Sequence, residues 1–173
     1  MKQTVRKETQ ADQQAVFEVN RLAFGRDDEA KLVDALRKNA EVFIPDLSLV
    51  ALAGEEVVGH ILFTRVQIQD GNKHKDSLAL APMAVRAGFQ GLGVGGQLIQ
   101  KGLEVATKLG FRSVIVLGHE HYYPKFGFRP AERWGVKSPF DVPNDVFLAI
   151  ELVPDGLKDS SGLVVYPREF ESV

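Results

Sequence analysis

Leu78-Ala79-Leu80-Ala81-Pro82-Met83-Ala84-Val85 followed by Arg86-Ala87-Gly88-Phe89-Gln90-Gly91-Leu92-Gly93-Val94-Gly95-Gly96 is the stretch that decides the fold. An apolar strand runs through a glycine-dense turn into a helix. Val94, Leu98, Gly102, Ala106 and Leu109 recur there at helical spacing, and Lys108 and Gly110 mark its end. Glycines let the backbone turn tightly and approach a ligand with no Cβ in the way. The free N–H groups opening a helix, together with its dipole, favour an anionic group. The stretch predicts a phosphorylated ligand. A bare strand-to-helix turn is the alternative, and it does not call for so many glycines.

Spacing decides among the phosphate ligands. Gly91-Leu92-Gly93-Val94-Gly95-Gly96 satisfies the dinucleotide pattern G-x-G-x-x-G, which alone is weak. In a dinucleotide fold the first glycine follows the strand directly, whereas Arg86 to Gln90 intervene here. The phosphate loop of nucleotide triphosphatases is excluded, because no Gly-Lys-Ser/Thr follows.

A third pattern is Gln90-x-x-Gly93-x-Gly95, with the strand ending at Val85. It resembles the acetyl-coenzyme A motif of the GNAT superfamily of N-acetyltransferases, Gln/Arg-x-x-Gly-x-Gly/Ala. Tyr122-Tyr123-Pro124-Lys125-Phe126-Gly127-Phe128 is similar to the family's Tyr-x-x-x-Gly-Phe segment, and it follows in the expected order. With Leu117-Gly118-His119 leading into it, the segment most resembles the bacterial YhbS-type members. The resemblance is strongest over residues 47–131.

The rest of the chain sets bounds. One domain over residues 1–173 is expected, long enough to bury a single core. A hydrophobic share of 45% and a charged share of 25% are ordinary for a globular protein. A net charge of −2 gives no global reason to expect a nucleic acid or an anionic membrane as partner. The absence of cysteine excludes disulfides, thiol catalysis and cysteine-held metals. The first 20 residues carry no apolar signal core, and no segment is long enough to span a membrane, so a cytoplasmic location is expected.

Residues 4–7 read as a first strand, and Thr9 with Asp12 as a capping box opening a helix with Val16, Val19 and Ala23 on one face. Asp27, Asp28 and Glu29 suit the start of a second helix over Leu32, Val33 and Leu36, closed by Pro45. Residues 47–53 and 57–66 read as a hairpin, with Asp70-Gly71 as the next turn. Strands at 78–85, 112–117, 146–152 and 163–166 follow. This order predicts an α/β chain, a mixed sheet flanked by helices. The GNAT resemblance implies that its fourth and fifth strands splay apart. Pro82, which cannot donate to a ladder, suits such an interruption, or equally a plain edge strand.

The resemblance implies roles. The backbone of Met83, Ala84 and Val85 would hold the pantetheine arm and polarise the thioester carbonyl. Gln90, Gly91, Leu92, Gly93, Val94, Gly95 and Gly96 would take the diphosphate, with Gln90 shaping the turn or adding one amide hydrogen bond and Arg86 adding charge. Tyr123 stands where the family's general acid stands. Glu120, His119 and His121 lie just after the fifth strand, within reach of a proton relay. His119-Glu120-His121 could instead suggest a metal site, but two histidines without a third ligand are weak evidence, and none is expected. His60, inside an apolar run, reads as structural, and His74 as a solvated loop residue. Trp134 and Phe140 could line an acceptor site or pack as core. The expected activity is transfer of acetyl from acetyl-CoA to a primary amine of a small molecule or protein, by a monomer or homodimer. A domain that binds acyl-CoA without turnover and a dinucleotide-dependent oxidoreductase remain the alternatives.

Overall fold

The structure, a computed structural model, describes residues 3–172. In chain order its elements are β1 (Gln3–Lys7), α1 (Gln13–Phe24), α2 (Asp28–Arg37), β2 (Phe43–Ala53), β3 (Glu56–Asp70), β4 (Lys73–Val85) and α3 (Val94–Lys108). β5 (Ser113–Leu117), β6 (Arg129–Pro130), β7 (Val136–Lys137), β8 (Phe147–Glu151) and β9 (Gly162–Val165) follow. The described strands hydrogen-bond in the order β1-β2-β3-β4-β5-β8-β6, with β9 on β3 and β7 on β9. Antiparallel neighbours dominate, but β4–β5 and β7–β9 are parallel, so the sheet is mixed.

The chain forms two compact units. The first takes the chain up to Thr64, then Ala81–Val105 and the C-terminal stretch from Arg168. Val16 and Val19 of α1, and Leu32, Val33 and Leu36 of α2, pack there on Val50, Leu52, Val57, Leu62 and Ala84. The apolar stripe of α1 does not extend to Ala23, which is exposed; Asn20 is buried in that row instead. The expected capping box exists but serves a short 3₁₀ turn before α1, where the Thr9 N–H donates to the Asp12 carboxylate at 2.7 Å. Arg6 donates to the same carboxylate at 2.7 Å, and this bond, the largest cause, holds Asp12 at a pKa of about 2.

The sequence predicts that Pro45 closes the helical segment; instead it lies within β2. The β2–β3 register jumps from Phe43↔Thr64 to Ser48↔Leu62, so Pro45 sits in the irregularity, where no ladder donor is required of it.

His60 is fully buried between two polar partners of this unit. The Asn20 Nδ2 donates to His60 Nδ1 at 3.2 Å, which leaves Nε2 as the protonated nitrogen, donating to Ser48 Oγ at 3.0 Å. Asn20 also donates to the Val16 carbonyl at 3.0 Å. Burial, and secondarily the positive charge of Arg37, lowers the His60 pKa to about 3. In the unfolded chain His60 binds a proton below about 6.5, while the folded protein refuses one down to about 3. The neutral triad therefore contributes fully above pH ~6.5 and is lost progressively as pH falls towards 3, by up to about 1.4 kcal/mol per pH unit. Urea unfolding across that window should show this slope in the wild type and a shallower one in His60→Gln. Equal slopes would mean that His60 is already charged in the fold.

The second unit holds Arg65–Leu80 and Ala106–Pro167. β4 pairs with β5 through Leu78↔Val114, Ala79↔Ile115 and Leu80↔Val116, and β8 lies antiparallel on β5 from Ser113↔Glu151 to Leu117↔Phe147. Ile115, Ala149, Phe147, Val164 and Leu157 form its core, with Trp134 half-buried against them. β4 begins at Lys73, five residues earlier than the sequence predicts, so His74 is an exposed strand residue rather than a loop one. The run Lys73-His74-Lys75-Asp76 is polar and exposed, and it carries no hydrophobic period to betray a strand. Leu109 lies past the end of α3 and is 43% exposed, because the chain reverses at Gly110, whose φ is +93°. Among the described residues no helix is long and apolar enough to cross a membrane.

Candidate active site

In the first unit, β4 ends at Val85 and leads into a turn shaped by its own side chains. The Gln90 Nε2 donates to the Val85 carbonyl at 3.0 Å, so Gln90 clips the turn to the strand end. The Arg86 N–H donates to the Val58 carbonyl at 2.8 Å, while its guanidinium pairs with Glu56 at 2.6 Å. Arg86 thus has an anionic neighbour already, and the turn depends chiefly on its backbone for positive charge. Met83 and Val85 are half-buried and Ala84 is buried.

Gly91 and Gly93 take φ of +79° and +81°, a region that disfavours any side chain. A Cβ at either would meet nothing within 4 Å. Packing within the protein does not explain these glycines; their conformation and the open space beyond them do. The first α3 bond runs from Gln97 N to Gly93 O at 3.0 Å. The N–H groups of Val94, Gly95 and Gly96 precede it and have no intrahelical acceptor. Leu92 is 58% exposed, while Val94 is buried and anchors the first turn of α3. This cradle suits an anion with several oxygens.

In the second unit, the chain leaves β5 at Leu117 and passes Gly118 into a tight reversal. The Tyr122 and Tyr123 N–H groups both donate to the His119 carbonyl, at 3.1 and 3.3 Å. Tyr123 then opens a short 3₁₀ turn, Tyr123–Phe126. Its ring is 7% exposed and stands edge-on to Tyr122 at 5.2 Å and to Phe128 at 5.7 Å. Among the described residues its hydroxyl has no hydrogen-bond partner. Burial, and then Tyr122, pushes the Tyr123 pKa up to about 12. A phenol so placed stays protonated at any working pH and is free to donate.

His119 and His121 are exposed, and Glu120 is half-exposed. Hydrogen bonding to the Asp145 side chain, then repulsion between the two carboxylates, raises the Glu120 pKa, while His121, 3.4 Å away, opposes the rise. Asp145 is a partner that sequence reading missed. It lies on the loop before β8, and only the pairing of β5 with β8 brings the two loops together. Among the described residues no three metal-binding side chains gather. Trp134 packs against the core of this unit, and Phe140, 43% exposed, tilts against Tyr166 at 5.1 Å.

The profile of the Acetyltransferase (GNAT) family matches residues 13–128. The chain is 41% identical to the uncharacterized N-acetyltransferase YjhQ of Escherichia coli K12 over 136 residues, 78% of this chain and 75% of that protein. It is 30% identical to the uncharacterized N-acetyltransferase YhbS of the same strain over 167 residues, 96% of this chain and 97% of that one. Among solved structures, YhbS from Escherichia coli in complex with CoA superposes with a TM-score of 0.92 at 30% identity, over 99% of this chain and 93% of that one. A GNAT acetyltransferase from Brucella melitensis in complex with acetyl-CoA gives 0.79 at 33% identity, over 98% of each chain.

Proposed function

Because the chain belongs to the acetyltransferase (GNAT) family, we propose that it transfers acetyl directly from acetyl-CoA to a primary amine of a small molecule or protein. As a member it is an acetyl-CoA-dependent N-acyltransferase. The observation that carries the reading is the cradle at Gly91, Gly93 and the opening of α3, open where a Cβ would project and lined by the first N–H groups of a helix, which have no acceptor within it. Two relatives that share the fold over nearly the whole chain bind CoA and acetyl-CoA.

Acetyl-CoA supplies an acetyl group activated as a thioester. In the proposed assignment the N–H groups of residues 91–96 receive the diphosphate, and Gln90 keeps the turn in place through Val85. The backbone of Met83, Ala84 and Val85 holds the arm and donates to the carbonyl oxygen where charge develops. Glu120 takes the proton that the amine sheds as its nitrogen bonds to the acetyl carbon, directly or through a water, and its raised pKa makes it a better base. As the C–S bond breaks, the Tyr123 hydroxyl donates to the departing sulfur. The Tyr123 pKa of about 12 stands above a thiol's ~8.5, so complete proton loss is uphill by roughly 5 kcal/mol. Tyr123 therefore acts chiefly as a hydrogen-bond donor to the thiolate. The reaction belongs in the cytoplasm, where acetyl-CoA is supplied.

Acetyl-CoA at 100 times its dissociation constant should stabilise the protein by about 2.7 kcal/mol, and NAD should not. A thermal shift with NAD alone would sink the reading. Turnover across a broad amine panel, followed by mass spectrometry, separates an enzyme from a domain that only binds acyl-CoA. In the same assay Glu120→Gln should lower kcat and leave acetyl-CoA affinity intact; unchanged kcat removes Glu120 as the base.

A further inference from the structure

We infer that Gly118 is a positioning residue for Tyr123: the missing side chain at position 118 is what allows the Tyr123 ring to stand where its hydroxyl can serve transfer. This rests on the role proposed for the Tyr123 hydroxyl, donation to the departing sulfur. Gly118 is not among the glycines of positive φ, so its conformation is one that any residue could adopt. Its need for a bare Cα comes from a neighbour. A Cβ at this position would overlap Cε2 of the Tyr123 ring and lie 3.1 Å from Cδ2 and 3.4 Å from Cζ.

Neither side of that contact can yield easily. The Gly118 N–H donates to the Val146 carbonyl at 2.9 Å, and Leu117 before it is paired with Phe147, so the backbone is held by the β8 side. The ring is bounded by Tyr122 and Phe128, and Tyr123's own N–H is tied to the His119 carbonyl. A methyl group at 118 therefore displaces the ring, and the hydroxyl with it, by about 1 Å. Misplacement on that scale costs up to about 10²-fold in rate when a reacting group depends on it.

Gly118→Ala tests this. Its kcat should fall by about 10-fold to 100-fold with the acetyl-CoA dissociation constant unchanged. In a Tyr123→Phe background the same change should lower kcat little further, because the group it acts through is gone. In the protein alone, with tyrosines labelled at Cζ, the Tyr123 resonance should shift and titrate at lower pH than in the wild type, as the displaced ring loses burial. An unmoved Tyr123 resonance, or a kcat loss that adds in full to that of Tyr123→Phe, would overturn the assignment. Full turnover of Tyr123→Phe would defeat the donor role instead, and the titration would still decide whether residue 118 holds the ring. Should Gly118→Ala fail to fold, adding Tyr123→Leu should restore folding if the ring is the obstacle; no restoration overturns the contact.

Discussion

Tyr123→Phe is expected to lower turnover by about 10²-fold or more while acetyl-CoA binds as before. The substitution keeps a ring that is 7% exposed and edge-packed between Tyr122 and Phe128, so the turn it opens should hold. What it removes is a hydroxyl that has no partner within the described protein and stays protonated. A group whose interaction strengthens only as the sulfur becomes anionic contributes to kcat and not to ground-state binding. Tyr122→Phe is the paired control and should be much milder, since Tyr122 is half-exposed with Lys125 over its ring at 4.9 Å. Full activity of Tyr123→Phe on an efficiently acetylated amine would leave water to protonate the thiolate.

The second large effect is on binding. Gly93→Asp should weaken CoA affinity by more than about 10²-fold in calorimetry, with a native far-ultraviolet circular dichroism spectrum. Unit charges 4 Å apart repel by about 4 kcal/mol at an effective dielectric constant of ~20, and the carboxylate would project where the diphosphate is proposed to lie. The left-handed φ of +81° adds strain, but the open space around the new Cβ spares the core. Gly95→Asp, in the first turn of α3, should act in the same direction. Unchanged affinity in both variants would make the turn purely structural.

How much of this could be read from the chain depended on how local the cause was. The glycine turn, α3 and the Tyr-x-x-x-Gly-Phe segment are contiguous, so pattern and spacing exposed them. β2 and β4 ran longer than expected because Pro45 hides in a register shift and Lys73 to Asp76 face solvent. His60 reads as structural from its apolar run, but Asn20 and Ser48 lie 40 and 12 residues away, and no local period points to them. Asp145 reaches Glu120 only through the pairing of β5 with β8. The cause at Gly118 is a ring five residues further on. A glycine in sequence suggests a turn, and here it marks a ring standing against the chain.

The open space beyond Gly91 and Gly93 also bears on descent. At Gly102 an added Cβ would run into Phe63, so the fold itself forbids drift there whatever the protein does. At Gly91 and Gly93 the fold objects only through backbone strain, a penalty of about 1–2 kcal/mol that a lineage can absorb elsewhere. With the diphosphate placed as proposed, selection on those two positions would come mainly from the ligand. In a descendant that stopped using acetyl-CoA, Gly93 should erode early while Gly102 persists, and the pair would date the loss of chemistry separately from the loss of the fold.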